Sequence, residues 1–250
     1  RLGMAPQFFL MAWVCRGDAT PRPRAGQLLR AWWAESRWAS LVFGWWQPFR
    51  HQAVADWLPP RASDVPGPRG VVLVHGFLCN RGFWTPWLAL LRARGHAFVA
   101  VTLEPAFGSI DDYCRTIDDA VRSVAEATGR APLIVGHSMG GLAARAWLRA
   151  VPGSEQRVHR IVTLGSPHHG TWPARGARST NGRQMRLHGP WVRQLGQDEP
   201  PARAAVFVCW YSNCDNVVYP PAAAMLQGAD NRFIEGVAHV EMAFHPRVLQ

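Results

Sequence analysis

The chain predicts an α/β fold: a mostly parallel central sheet with helices on both faces. Three observations carry this. From Gly70 onward, short apolar, largely β-branched runs alternate with helix-length patterns, the signature of βαβ units. Those runs are near-continuously apolar, as strands covered on both faces must be. With 250 residues, 48% hydrophobic and 18% charged, the chain can bury one sizeable core and lacks the composition of a disordered protein.

Strands are expected at Val71–His75, Ala97–Leu103, Leu133–Gly136, Arg160–Leu164, Ala205–Tyr211 and Arg232–Val237. Helices are expected at Phe83–Arg94, Ile110–Thr128, Gly140–Val151 and near the C-terminus. The stretch from Gly165 to Arg203 is rich in Gly, Pro and Arg. A connection of that length in a compact domain is usually functional, often a lid or binding loop. The breaker-rich Pro59–Pro68 (PPRASDVPGP) separates a Trp/Arg-rich leader, residues 1–60, from a domain over 61–250.

The net charge of +10 raises the question of a polyanionic partner, but all 27 basic residues are arginine. With the abundance of Ala, Gly and Pro, this reads as compositional bias. No arginine run is interleaved with stacking aromatics, and no zinc spacing or RNA-binding signature is present, which argues against nucleic acid. Five cysteines, Cys15, Cys79, Cys114, Cys209 and Cys214, form neither a dense disulfide framework nor a zinc motif. Cys79 with Cys114, or Cys209 with Cys214, are the pairs open to bridging in an oxidising compartment; most read as buried small hydrophobes. Gly3 to Val14 is apolar but too short to span a bilayer, which takes about 20 residues. It reads either as the remnant of a signal or anchor segment or as a helix packed on the domain. Arg1 in place of a methionine fits a start that lies upstream.

The chemistry centres on Leu133-Ile-Val-Gly-His-Ser-Met-Gly-Gly141: a strand, then Gly-x-Ser-x-Gly, then a helix. Ser138 must sit on a tight strand-to-helix turn so that its hydroxyl projects above the sheet as a nucleophile. Gly136 and Gly140 lack the side chains that would collide there. The helix N-terminus directs backbone N–H groups at a developing oxyanion. In this arrangement one oxyanion donor follows the nucleophile and another comes from the loop after an earlier strand, which nominates the amides of Met139 and Phe77. Gly76 permits close approach of the main chain to a substrate carbonyl, and His75 reads as a brace for that loop.

The order serine, acid, histidine leaves His239 and His245 among ten histidines. His239 is favoured because it follows a strand almost immediately. Asp215 follows the strand Ala205–Tyr211 and is the natural acid, fixing the imidazole tautomer. Asp230 is its competitor but precedes a strand.

His75-Gly76-Phe77, Gly136 to Gly141, Leu164-Gly-Ser-Pro-His-His-Gly-Thr171 and Ser212-x-x-Asp215-x-x-Val218 together resemble the bacterial triacylglycerol lipases and related esterases of the α/β-hydrolase superfamily. Gln184–Leu195 resembles the helical region after the Ser-Pro-His segment in that group. The resemblance covers about residues 70–245, by motif order. It implies an α/β-hydrolase fold with a lid or cap insertion after the sixth strand, and hydrolysis of carboxylic esters with fatty acyl chains through an acyl-enzyme, without a cofactor. It also implies that the loop from Gly165 onward borders the acyl pocket. The pocket candidates are His75, Gly76, His137, Pro167 and His168. Some such lipases hold a structural calcium near the acid and the base, but no aspartate follows His239, so no metal is expected. Acyl transfer on the same residues, or a membrane-associated binding module on this scaffold, are the alternatives.

The leader is not explained by that resemblance. Gln27–Phe49 carries Trp32, Trp33, Trp38, Trp45 and Trp46. At helical spacing Leu28, Trp32, Ala39, Phe43 and Trp46 share one face, and Trp33, Trp38, Leu41 and Trp45 lie elsewhere. Either one face packs on the domain and the rest caps the pocket, or tryptophan and arginine together seat the helix at a membrane surface. The expected location is membrane-associated, periplasmic or secreted in a bacterium rather than cytoplasmic, and the partner a lipid or small ester.

Overall fold

The computed structural model describes residues 4–60 and 67–249. The middle of the Pro59–Pro68 link lies outside them. Six strands, β1 Val71–Val74, β2 Phe98–Ala100, β3 Leu133–His137, β4 Arg160–Leu164, β5 Phe207–Tyr211 and β6 Asp230–Phe233, form one sheet. Their order is β2-β1-β3-β4-β5-β6, and every neighbouring pair is parallel.

The helices are α1 Ala5–Val14, α2 Ala25–Leu41, α3 Gln47–Phe49, α4 Thr85–Ala93, α5 Cys114–Thr128, α6 Met139–Ala150, α7 Thr180–Gln184, α8 Pro190–Gln197 and α9 His239–Met242. Strand periodicity divides the core in two. Val72, Val74, Ile134 and Ile161 face one layer with Ile117, Val121, Leu142 and Trp147 of α5 and α6. Val71, Leu73, Val135 and Leu164 face the other with Trp87 and Leu88 of α4, Val240 of α9 and Val42 of the leader. Doubly covered strands have no polar face, which is why they read as continuous apolar runs.

Most boundaries shift by a residue or two, and three features depart further from expectation. β2 stops at Ala100, and beyond it the Leu103 amide donates to His75 Nε2 at 3.0 Å. β6 begins at Asp230 and ends before Ile234–Val237, because Asn213 and Ser212 side chains accept from the Gly236 and Val237 amides. The long insertion leaves β4, the fourth strand in chain order, and not the sixth, since the chain after β6 runs directly into α9. All five cysteines are free thiols, so neither candidate bridge forms.

The leader is packed against the domain. α2 buries Ala31, Glu35, Ser36 and Ala39, and a π-helical turn over Val42–Trp46 carries the chain into α3. Small residues let α2 approach closely. Of the face read from the spacing, Ala39 is buried and Leu28, Trp32 and Trp46 pack against buried clusters, while Phe43 is exposed; Trp38, placed elsewhere, also packs in, stacked on Phe244 at 4.6 Å. Gln47 accepts from the Asn80 amide at 2.6 Å, and Arg81 bonds the His51 and Val54 carbonyls and the Asp56 carboxylate. Through these contacts the leader is expected to unfold together with the domain. Trp38→Ala should therefore lower stability by about 2–3 kcal/mol in a single denaturant transition. A separate early transition would show that the leader unfolds on its own.

Candidate active site

Because all six strands run the same way, the loops after β1, β3, β4, β5 and β6 gather at one edge of the sheet. Ser138 lies there between β3 and α6, with φ 54° and ψ −125°. Only Leu78, Ser138 and His188 among the described non-glycine residues have positive φ. Such a conformation costs about 1–3 kcal/mol and persists only where its surroundings enforce it. The Ser138 amide donates to the Leu164 carbonyl at 2.9 Å, tying the turn to the end of β4. A Cβ on Gly136 would lie 2.8 Å from backbone atoms of Gly140 and Gly141, and one on Gly140 would lie 2.3 Å from the Val74 carbonyl oxygen.

Asp215 and His239 are both buried, and Asp215 Oδ2 accepts from His239 Nδ1 at 2.9 Å. The other oxygen, Oδ1, accepts from the Val217 and Val218 amides at 3.0 and 2.7 Å, which fixes the carboxylate plane. Burial works to lower the His239 pKa, but the Asp215 charge and hydrogen bond outweigh it and Glu35 adds to them, so the net direction is upward. Gly165 passes close by: a Cβ there would lie 2.7 Å from Asp215 Oδ2 and 3.1 Å from His239 Nδ1. Asp230, by contrast, is exposed and pairs with Arg232 at 2.7 Å. His245 is half-buried, and its Nδ1 accepts from the Arg247 amide.

Neither the Phe77 nor the Met139 amide has a protein acceptor among the described residues. A pocket of about 200 Å³ opens here, lined by Phe77, Ser138, Pro167, Thr171, Met185 and Val218 among others. Of the predicted pocket residues, Pro167 lines it. Gly76 lies against Ser138, where a Cβ would come 2.8 Å from the serine Cβ. The three histidines are behind the pocket, not in it. His75 Nδ1 donates to the Gly76 carbonyl and Nε2 accepts from Leu103, and burial lowers its pKa to about 4, so it stays neutral as a brace. His137 stacks on Phe83 at 4.4 Å and donates from Nε2 to the His239 carbonyl at 3.1 Å. His168 is fully buried against Thr163 and Cys209, and burial beside Arg145 holds its pKa well below the ordinary value.

Two residues that sequence reasoning missed support His239. Asn216 Oδ1 accepts from the His239 amide at 3.3 Å. Glu35 accepts from the Val240 and Glu241 amides, with its nearest contact 2.9 Å. One signal marks Glu35: it is the only carboxylate between Asp18 and Asp56, set among tryptophans. The residues near His239 do not fit a calcium ion. Glu241 pairs with Arg30 at 3.0 Å, Glu35 is taken by amides, and the described residues hold no cluster of three or more potential ligands.

The chain belongs to the alpha/beta hydrolase family, whose sequence model matches residues 71–249. Among curated proteins it is similar to the probable esterase PIR7A of Oryza sativa subsp. indica, 36% identical over 85 residues, 30% of this chain and 32% of that protein. Esterase PIR7B of Oryza sativa subsp. japonica is 34% identical over 90 residues, 32% of this chain and 33% of that protein. The matches thus span about a third of those relatives' length. In fold it is similar to Bacillus licheniformis lipase BlEst2 in mature form, at TM-score 0.62 and 18% identity over 74% of this chain and 91% of that one. Aspergillus fumigatus lipase B also gives TM-score 0.62 at 18% identity, over 76% of this chain and 54% of that one.

The close approach of α6 to β1 makes a sharp expectation. Gly140→Ala forces a methyl onto the Val74 carbonyl and should destabilise the protein by about 1–3 kcal/mol or more, read by denaturant unfolding. A variant of unchanged stability would show that the helix does not sit this close.

Proposed function

We propose that the protein is a serine carboxylic-ester hydrolase that works through an acyl-enzyme. The observation that carries this reading is the buried 2.9 Å Asp215–His239 hydrogen bond at the same sheet edge as a serine held at φ 54°. Asp215 holds the proton on His239 Nδ1, leaving Nε2 to accept the Ser138 proton. The serine oxygen attacks the ester carbonyl, and the oxyanion takes hydrogen bonds from the Phe77 and Met139 amides at the N-terminus of the 12-residue helix α6. His239 then gives its proton to the departing alcohol. Water, deprotonated by the same imidazole, attacks the acyl-serine, and the acid leaves with Ser138 restored. The apolar pocket wall of Pro167, Met185 and Val218 suits an acyl chain. The esterase and lipase names of the similar proteins support this reading.

We further infer that the substrate is met at a lipid surface through the leader. Phe9, Trp13, Leu29, Trp33, Trp45 and Phe49 are each more than half exposed, at 52–77%. Beside them an apolar groove of about 400 Å³ runs between α1 and α2, lined by Phe8, Leu28 and Trp32. No helix among the described residues is long and apolar enough to cross a membrane, so the leader would lie in the interface. Each large side chain buried there contributes about 1.5–3 kcal/mol, and exposed arginines such as Arg22 and Arg37 add affinity for anionic lipid.

With a chain-length series of nitrophenyl esters, Ser138→Ala should lose several orders of magnitude in turnover while remaining folded. Asp215→Asn should lose about ten-thousand-fold, and Asp230→Asn should be near wild type. Equal loss in both aspartate variants would overturn the assignment of the acid. A wild type that transfers acyl groups to an added alcohol and releases no free acid would make it an acyltransferase.

Activity needs neutral His239, whose pKa is raised above the ordinary 6.5. kcat/KM should therefore fall as pH drops through a value above that one. A limb below it would contradict the Asp215 contact.

Flotation with anionic vesicles should be strong and weaken with salt. Protein that never floats would reject the lipid surface.

A further inference from the structure

Asp215 serves the proposed chemistry, and a second buried carboxylate stands close to the same histidine turn. Glu35 is 2% exposed and sits on α2, more than two hundred residues from its partners. Those partners are backbone amides. Glu35 Oε1 and Oε2 accept from Val240 at 3.1 and 2.9 Å, and Oε2 accepts from Glu241 at 3.2 Å. Val240 and Glu241 are the second and third residues of α9, and His239 is the first.

An exposed helix start leaves its first N–H groups to water; a buried one needs acceptors for each. Here the Ala238 amide goes to Glu241 Oε2, that of His239 to Asn216 Oδ1, and the next two to Glu35. The largest share of this cap comes from outside the turn and its neighbours in sequence. Arg30, one turn earlier on α2, bonds Glu241 and the Gly236 carbonyl, so the leader grips both ends of the loop bearing the imidazole.

Glu35 acts only as an acceptor in these contacts, the role of a carboxylate; a protonated acid would also donate its O–H. Burial pushes its pKa up to about 7, and the facing His239 and the two amides work against that. The charged groups around the pair are Asp215 on the β5 loop and Glu241 with Arg30. His137, buried and neutral, lies 4.6 Å ring to ring from His239. The thiols of Cys15 and Cys214, pushed up to about 12 by burial, stay uncharged.

We propose that Glu35 is a positioning residue for His239. Its carboxylate, reaching across from the leader, holds the turn that carries the imidazole and stabilises the imidazolium formed when Ser138 gives up its proton. This rests on the esterase reading only for its kinetic consequence; the contact between leader and histidine is tested separately.

The decisive variant is Glu35→Gln in the full chain, which keeps one acceptor oxygen and removes the charge. Ring titration of 15N-histidine-labelled protein, with His239 assigned against His239→Gln, reads the imidazole without any substrate. The His239 pKa should move to lower pH in Glu35→Gln and remain near wild type in Glu35→Asp, which keeps the charge. With a short nitrophenyl ester, Glu35→Gln should lose about tenfold in kcat, the worth of one hydrogen bond, at unchanged KM, and the acid limb of the profile should move the same way. An unshifted His239 titration in folded Glu35→Gln would overturn the proposal, whatever its activity. Should that variant not fold, the wild type still decides. Its His239 resonance should carry a second inflection from Glu35, and a single inflection would overturn the coupling. If the wild type hydrolyses no ester, the proposed function fails while the titration result stands.

Discussion

The turn at Ser138 keeps φ at 54° and ψ at −125°, a conformation that the chain does not hold unaided. Three neighbours enforce it: the Leu164 carbonyl takes the serine amide, Gly136 lets α6 fold back over β3, and Gly140 lets the same helix lie on the end of β1. Each depends on β3 being flanked by β1 and β4 in parallel register. The sheet order therefore comes before the site. Once β3 is central, the loop after β1 brings the Phe77 amide alongside, and the loops after β5 and β6 bring Asp215 and His239 to the same edge.

Much of this was legible because it is local. Strand β4 has the bounds its apolar run predicts, and the Gly-x-Ser-x-Gly stretch lies between a strand and a helix as expected. The chain order of acid and base follows from the same strand sequence. What was illegible depends on distant partners. β6 is shifted toward Asp230 because Ser212 and Asn213, on the previous strand's loop, take the amides of Gly236 and Val237. His168 is a pocket candidate by position in the chain, yet it turns inward to Thr163 because Arg145 holds its carbonyl at 2.7 Å.

The leader is the clearest case of that limit. Its tryptophans dominate the periodicity, and Trp32, Trp38 and Trp46 do pack inward, but the closest contact is made by Ala31, Glu35, Ser36 and Ala39, which the periodicity does not single out as a set. Small residues bring the helix close enough for a carboxylate to reach the amides after His239, and nothing in the leader's own sequence names those amides. The aromatics on its far side are exposed. The same helix thus faces the histidine loop inward and solvent outward.

The proposed chemistry rests on one activated serine, Ser138. Incubating the folded wild type with a fluorophosphonate and mapping the adduct by peptide mass spectrometry tests this most directly. The prediction is one phosphonylated residue, Ser138, at a rate that falls sharply in His239→Gln. An unlabelled wild type, or an adduct on any other residue, would contradict it.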